Sequence, residues 1–261
     1  MKRRMVEMVA VLVLLSAGAS PAQVSLFYLR HAEAGHNVKD EFVAKGIPTN
    51  EWPAYVGNEN AFSPKGEAQA LATGTNLMPF QFDLIAVSPK WRTRHTILPY
   101  LRATGQQAEI WPELAETAKY DLTNVPPDTP VAEDLLAGRR DLHLPAEEEP
   151  YFHVRADGTG TRLLLVTNAA EAVVCARRVE ELLRSRYPEG PARVLLVGHG
   201  NASLLLLRHL TRQPGLQLPH QKNVHLWTGA LHPDGTFALD RYNELPQELA
   251  PAPSRTDRVR H

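Results

Sequence analysis

Ser25-Leu-Phe-Tyr-Leu-Arg-His-Ala-Glu-Ala-Gly-His-Asn37 joins an apolar run to a cluster of charged, small and polar residues. Counting Val24 before it, five of the six residues Val24–Leu29 are apolar or aromatic, Ser25 being the exception. Such a run reads as a parallel strand buried on both faces, and it stops abruptly at Arg30-His31, followed by small and polar residues. In open α/β sheets the carboxyl ends of the strands form the ligand crevice, so an Arg-His pair at that place faces a pocket. The same pattern recurs in Arg193-Val-Leu-Leu-Val-Gly-His-Gly200, an apolar strand ending in Gly-His199-Gly and turning helical through Leu204 to Leu207. A third instance, Phe82-Asp-Leu-Ile-Ala-Val-Ser-Pro-Lys-Trp-Arg-Thr-Arg-His-Thr96, ends at Ser88-Pro89 and opens a helix with Arg92 in its first turn. Each histidine alone would read as a structural residue after a strand. Two histidines and two arginines at three strand ends make one candidate site.

The intervening chain fills in a strand-helix cadence. Ser63 as N-cap, Pro64 at the first helical position and Glu67 in the first turn start a helix running to about Leu77. A strand at Leu84–Val87, a helix from Pro89 to about Ala103 closed by Gly105, and a strand at Ala108–Trp111 follow. Asn168 with Glu171 three residues later starts another helix, expected to reach Tyr187 before Pro188. Closing strands are expected at Asn223–Leu226 and Thr236–Asp240, with a turn at Pro233-Asp234-Gly235. The cadence predicts a mostly parallel central sheet between two helix layers, a three-layer α/β/α sandwich. Breakers from Gly46 to Asn58 predict that residues 38–61 form a loop at the pocket mouth, with Trp52 and Tyr55 either lining the pocket or packing on the surface. Prolines at 126, 127, 130, 145 and 150 break up residues 117–160, read as an insertion over the site with one short helix at Val131–Leu136.

A chain of 261 residues, 43% hydrophobic, can bury a sizeable core, and one domain with a terminal extension is the simplest count. The formal net charge of −1 leaves no electrostatic footprint for nucleic acid or an anionic membrane, so anion recognition must be local to a pocket. The single cysteine, Cys175, excludes an internal disulfide and reads as a small core residue. Lys2-Arg-Arg4, the apolar Met8–Leu15 and the small residues up to Ala22 read as a secretory signal over residues 1–22, too short to span a bilayer, with a retained anchor as the alternative. The main domain is then residues 23–245, and the Pro-rich, charged residues 246–261 a disordered tail. The remaining histidines show no zinc-site spacing, so neither a metal nor a cofactor is expected.

In order along the chain, Leu29-Arg-His-Ala-Glu-Ala-Gly-His-Asn37, Phe62-Ser-Pro-Lys-Gly-Glu-Ala-Gln69-Ala70, Ser88-Pro-Lys-Trp-Arg92-Thr-Arg-His-Thr96 and Val197-Gly-His199-Gly200 resemble the histidine phosphatase superfamily, also called phosphoglycerate mutase-like. The His36-Asn37 ending resembles a branch reading His-x-x-Gly-x-His-Asn. The resemblance implies a phosphoglycerate mutase-like fold and phosphoryl transfer through a phosphohistidine on His31. It implies Arg30 and Arg92 as phosphate clamps, His199 as a donor to the phosphoryl oxygens and Asn37 as a phosphate contact. Leu114-Ala115-Glu116 falls on the motif that carries the general acid, which points to Glu116, with Glu113 and then Asp121 as alternatives. The chain departs from the pattern at Ala32 and Ala34, where Gly and Ser are common, and at Gly200, where the acid phosphatases carry Asp.

Those residue types suit the chemistry. Neutral imidazole is a nucleophile near neutral pH and splits one displacement into two. Guanidinium stays charged and holds phosphate oxygens bidentately. Repulsion from the arginines should keep His31 unprotonated. The expectation is an exported phosphatase acting on a small-molecule phosphomonoester, with no membrane association once the signal is removed. The alternatives are a phosphomutase, or a catalytically silent relative that binds a phosphorylated ligand.

Overall fold

Alternate residues of the first strand, β1 (Val24–Arg30), enter different hydrophobic clusters: Val24, Leu26 and Tyr28 one, Leu29 the other, with Phe27 packed against the latter. A strand apolar on both faces must be covered on both. In the computed structural model, which describes residues 23–130, 140–157, 162–188 and 190–249, it is. The other elements are α1 (Gly35–Ala44), α2 (Pro64–Leu77), β2 (Leu84–Val87), α3 (Trp91–Thr104), β3 (Ala108–Ile110), β4 (Arg140–Asp141), β5 (Phe152–Val154), β6 (Arg162–Leu163), α4 (Ala169–Arg186), β7 (Ala192–Gly198), α5 (Gly200–Leu210), β8 (Leu226–Leu231), β9 (Phe237–Glu244) and α6 (Pro246–Leu249). Seven strands form one sheet in the order β5-β3-β2-β7-β1-β8-β9, and β4 pairs with β6 separately. The five strands from β5 to β1 are parallel; β8 runs antiparallel to β1, and β9 antiparallel to β8. Val179 and Leu183 of α4 and Leu206, Leu207 and Leu210 of α5 cover one face; Leu77 of α2 and Ile97 and Leu101 of α3 cover the other. The expected three-layer α/β/α sandwich with a mostly parallel sheet is the observed architecture.

Strand order fixes where the site must lie. From β1 the chain crosses to β2, beyond β7, whereas from β7 it crosses to β8, beyond β1. The two connections leave neighbouring strands in opposite directions, which opens a crevice between their carboxyl ends. Arg30 pairs with Gly198 in the β1–β7 register, so the next residues, His31 and His199, stand side by side at that crevice. The close approach needs a glycine: a Cβ on Gly198 would lie 2.1 Å from the Tyr28 hydroxyl. That hydroxyl accepts from the His199 N–H at 3.0 Å and donates to the His199 carbonyl oxygen at 3.2 Å, fixing the second histidine from beneath.

The helix starts were legible. The Ser63 Oγ accepts from the Gly66 N–H at 3.0 Å, and the Asn168 Oδ1 from the Glu171 N–H at 2.9 Å. α3 ends at Gly105, which takes the left-handed conformation with φ 70°. Four expectations need correction. Residues 38–61 are not all loop, because α1 occupies Gly35–Ala44, closed at its N-terminus by Asn37 Oδ1 accepting from the Ala34 N–H at 3.0 Å. The segment after residue 117 is not wholly an insertion over the site: β5 extends the main sheet beside β3. The strand expected from Asn223 begins at Leu226. The tail from 246 opens with the helical turn α6, where the Glu248 carboxylate accepts from the Leu245 N–H at 2.6 Å. The expected signal segment, the expected helix at 131–136 and residues 250–261 lie outside the described residues. No helix among the described residues is long and apolar enough to cross a membrane.

Candidate active site

His31 is 1% exposed, and its ring centroid lies 5.2 Å from that of His199. Its Nδ1 is 2.7 Å from the carbonyl oxygen of Ala32. A carbonyl only accepts, so Nδ1 carries the proton and Nε2 keeps its lone pair. Arg92 approaches that lone pair, its Nε–H donating to His31 Nε2 at 3.3 Å. Burial first, then the neighbouring His199 and Arg92 charges, hold the ring well below the ordinary histidine pKa. The expectation of an unprotonated ring agrees in direction, with desolvation leading the charge repulsion.

Local structure explains how these groups are held. The Thr96 hydroxyl, one turn into α3, accepts from the Ala32 N–H at 2.8 Å, and Asn223 Nδ2 donates to the His31 carbonyl oxygen at 2.8 Å. Glu33 ties the same turn to α2: its N–H donates to Gln69 Oε1 at 2.8 Å, and its carboxylate accepts from the Ser63 hydroxyl and Lys65 Nζ, both at 2.7 Å. The Phe62–Ala70 block therefore braces the turn that follows His31.

Arg92, 3% exposed, reaches three site groups at once. Besides His31, its Nη1 donates to Glu59 Oε2 at 3.0 Å and its Nη2 lies 3.4 Å from Glu116 Oε2. Glu59 comes from the loop before α2 and also lies 3.6 Å from Lys90 Nζ. That loop closes tightly on α1, where a Cβ on Gly35 would sit 1.5 Å from the Tyr55 carbonyl oxygen. Of the two aromatic residues expected at the mouth, Trp52 packs against Phe42 and donates its indole N–H to the Ile47 carbonyl oxygen at 2.8 Å. Tyr55 lines a cleft of about 590 Å³ with Phe62, Trp91 and His95.

His199 is fully buried, with Nε2 2.9 Å from the Ser88 hydroxyl and Nδ1 3.2 Å from Glu116 Oε2. Burial lowers its pKa and the Glu116 carboxylate opposes that shift. For Glu116, burial alone would raise the carboxyl pKa, but His199 and Arg92 outweigh it and bring the value down to about 2. Glu116 is thus ionised in the resting protein, and the Nδ1 proton of His199 faces it.

Arg30 donates from Nη1 to His220 Nε2 at 2.9 Å and to the Gln221 carbonyl oxygen, while its buried Nε has no hydrogen-bond partner among the described residues. Asn37 stands one residue further out. Its Oδ1 caps Ala34 and its Nδ2 contacts His36 Nε2 at 3.0 Å. Glu113 is a structural residue: its side chain is 1% exposed and takes both guanidinium nitrogens of Arg155 at 2.9 Å. Asp121 accepts from Thr123 at the surface, away from the two histidines.

The structure thus brings together His31, His199, Arg30, Arg92 and Glu116. Ser88, Glu59, Thr96, Asn223 and His220, which touch them, carried no role in the sequence reading. Ser88 and Thr96 had a signal, as the two ends of the block that carries Arg92. Donor atoms of His31, Glu116 and His199 lie within 4.8 Å of one another, close enough to hold a metal ion. The surroundings favour an anion instead: Arg92 donates into the His31 lone pair, and two buried guanidiniums repel a cation. The tetrahedral oxyanion expected from the sequence suits this set of donors.

Comparison with known proteins agrees with the geometry. No curated protein matches the chain in sequence. Among solved structures, a mycobacterial protein described as hydrolase 1 shares 20% identity over 85% of this chain and 98% of its own, with a TM-score of 0.52. A mycobacterial glucosyl-3-phosphoglycerate phosphatase, solved with VO3, shares 22% identity over 84% of this chain and 99% of its own, also at 0.52. The same phosphatase solved with inorganic phosphate gives 19% identity over 85% and 98%, at 0.52. At these identities the likeness establishes the fold. Residues 26–244 match the profile of the histidine phosphatase superfamily (branch 1), and the chain belongs to that superfamily.

Proposed function

We propose that the chain is an exported phosphatase that hydrolyses a small phosphomonoester through a phosphohistidine on His31. One observation carries the reading: with Nδ1–H committed to the Ala32 carbonyl oxygen, His31 Nε2 keeps a lone pair that meets the Arg92 Nε–H, with the His199 ring 5.2 Å away and the Arg30 charge also acting on it. A bound phosphoryl group would displace Arg92 Nε from that lone pair and take its guanidinium on the equatorial oxygens. Nε2 then attacks phosphorus in line with the ester oxygen, the P–O bond breaks, and the departing alkoxide takes a proton. The His199 Nδ1–H and both guanidiniums hold the phosphoryl oxygens during transfer.

Glu116 is the proposed proton carrier. It is ionised at rest, but the arrival of a phosphate charge beside it raises its proton affinity, and a monoester entering as the monoanion delivers the proton. After the alcohol has left with that proton, the Glu116 carboxylate is placed to take one from the water that attacks phosphohistidine. Glu116 passes that proton to the departing phosphate, so inorganic phosphate, free His31 and ionised Glu116 result and atoms and charge balance over two steps.

Export is supported by the charged, apolar and small-residue order of residues 1–22. The sequence of the mature N-terminus in cell fractions tests it. A chromogenic phosphomonoester offered to wild type and His31→Ala tests the activity: wild type should turn over and the variant should not. Release of labelled phosphate to water, with none on an added alcohol, separates hydrolysis from mutase transfer.

A further inference from the structure

His36 has a ring nitrogen, Nδ1, that is buried and meets no hydrogen-bond partner among the described residues. The Oδ1 of Asn37 accepts from the Ala34 N–H at 3.0 Å, which fixes the carboxamide's orientation and turns its NH2 toward His36. That NH2 is a donor, so His36 Nε2, 3.0 Å away, must accept and carry no hydrogen. The proton of the neutral ring therefore sits on Nδ1. This Nδ1 is buried and has no hydrogen-bond partner among the described residues. A buried N–H left unpaired in the free protein is an exception that calls for a missing partner.

The surroundings name that partner. The His36 ring centroid lies 5.7 Å from that of His31, and the charged and titratable groups acting on it are Arg92, Glu116, Glu59 and His199, all members of the candidate site. Burial, followed by the Arg92 charge, brings its pKa down to about 4, so the ring stays neutral at physiological pH. It joins Arg30 Nε as a second buried donor of the candidate site without a hydrogen-bond partner among the described residues. From this convergence we infer that His36 is a phosphate-contacting residue: its Nδ1–H donates to a nonbridging oxygen of the bound phosphoryl group, with Asn37 setting the tautomer. The assignment rests on the phosphatase reading and deepens it. Asn37, expected as a direct phosphate contact, then also acts through its neighbour. An uncharged donor adds a hydrogen bond to the anion without adding repulsion to the crowded Arg30, Arg92 pair.

The test uses side-chain geometry. An Asn amide can place an N–H where the His Nδ1 was, whereas a Gln amide reaches the Nε2 position. Competitive inhibition by inorganic phosphate is measured on wild type, His36→Ala, His36→Asn and His36→Gln, with thermal melts to confirm folding. His36→Ala should weaken phosphate about tenfold or more, the scale of a lost bond to a charged group. His36→Asn should stay near wild type, and His36→Gln should follow Ala. In addition, 15N NMR of histidine-labelled wild type should show the His36 Nδ1–H resonance shifting on phosphate addition, an observation that needs no variant. Equal phosphate binding by His36→Ala, loss of binding alike in the Asn and Gln variants, or an unmoved Nδ1–H resonance would overturn the assignment. A wild type that binds phosphate irrespective of residue 36 overturns this inference alone; a wild type that neither binds phosphate nor cleaves esters overturns the phosphatase reading with it.

Discussion

With its Nδ1–H committed to the Ala32 carbonyl oxygen, His31 presents one lone pair, and Arg92 is the residue resting on it. Arg92→Lys keeps the charge but loses the fork that reaches His31, Glu59 and Glu116 together. Steady-state kinetics should show kcat lower by about 10²–10³-fold, the scale for removing one oxyanion donor; an unchanged kcat would show that the guanidinium is not on the phosphoryl group. Glu59 occupies Arg92 Nη1 where an anion would bind. Removing that competing carboxylate in Glu59→Gln should lower KM severalfold, and a raised KM would mean that Glu59 orients Arg92 instead. Glu116→Gln should depend on the leaving group. Alkyl phosphates, whose alkoxides need a proton, should lose about 10²–10⁴-fold, whereas 4-nitrophenyl phosphate should lose far less. An equal loss on both would remove Glu116 from proton transfer. At this scale the sequence showed the residues at strand ends, Arg30, His31 and His199, and Arg92 in the first turn of a helix that starts at one. Glu59, Asn223 and His220 were illegible, because they reach the site from loops whose paths only tertiary packing determines.

Elements were legible where they announce their own ends. Ser63-Pro64 and Asn168 with Glu171 cap α2 and α4 by local hydrogen bonds, so short-range sequence sufficed. α1 was missed because its cap is Ala34, with no side-chain oxygen, and the closing contact comes back from Asn37. β5 was missed because three residues carry little periodicity, and its pairing with β3 spans a long separation in sequence. The turn after β3 holds two glutamates with opposite roles. Glu113 faces inward to Arg155 in a pair 1% exposed on each side, and Glu116 faces the histidines. Glu113→Ala removes the two-pronged contact of a buried guanidinium, which keeps its bond to Asp157, and should destabilise the protein by about 1–3 kcal/mol in a urea titration. Assayed where it remains folded, it should keep wild-type leaving-group dependence. A stable variant with altered leaving-group dependence would return Glu113 to the mechanism.

For the molecule as a whole, crossing connections place the ends of β1 and β7 at one crevice, and burial there loads the fold with neutral imidazoles. His31, His36 and His199 all have lowered pKa values. Above the ordinary value of 6.5 neither the native nor the unfolded chain protonates them, and their contribution to stability is complete. As pH falls below it, the unfolded chain takes up protons that the native state refuses, so stability declines until the folded values are reached, about 4 for His36. Each such ring adds up to about 1.4 kcal/mol per pH unit to the slope. The urea midpoint should fall from pH 6.5 toward 4, and less steeply in His36→Asn; a pH-independent midpoint would contradict the buried, neutral assignment. The proposed intermediate is a covalent bond from His31 to phosphorus and can be trapped as one. Wild type mixed with a phosphomonoester and quenched in alkali within milliseconds, then digested and sequenced by mass spectrometry, should carry one phosphoryl group on the His31 imidazole, absent from His31→Ala. Turnover in which residue 31 never carries phosphate, or carriage of it by another side chain, would contradict the account.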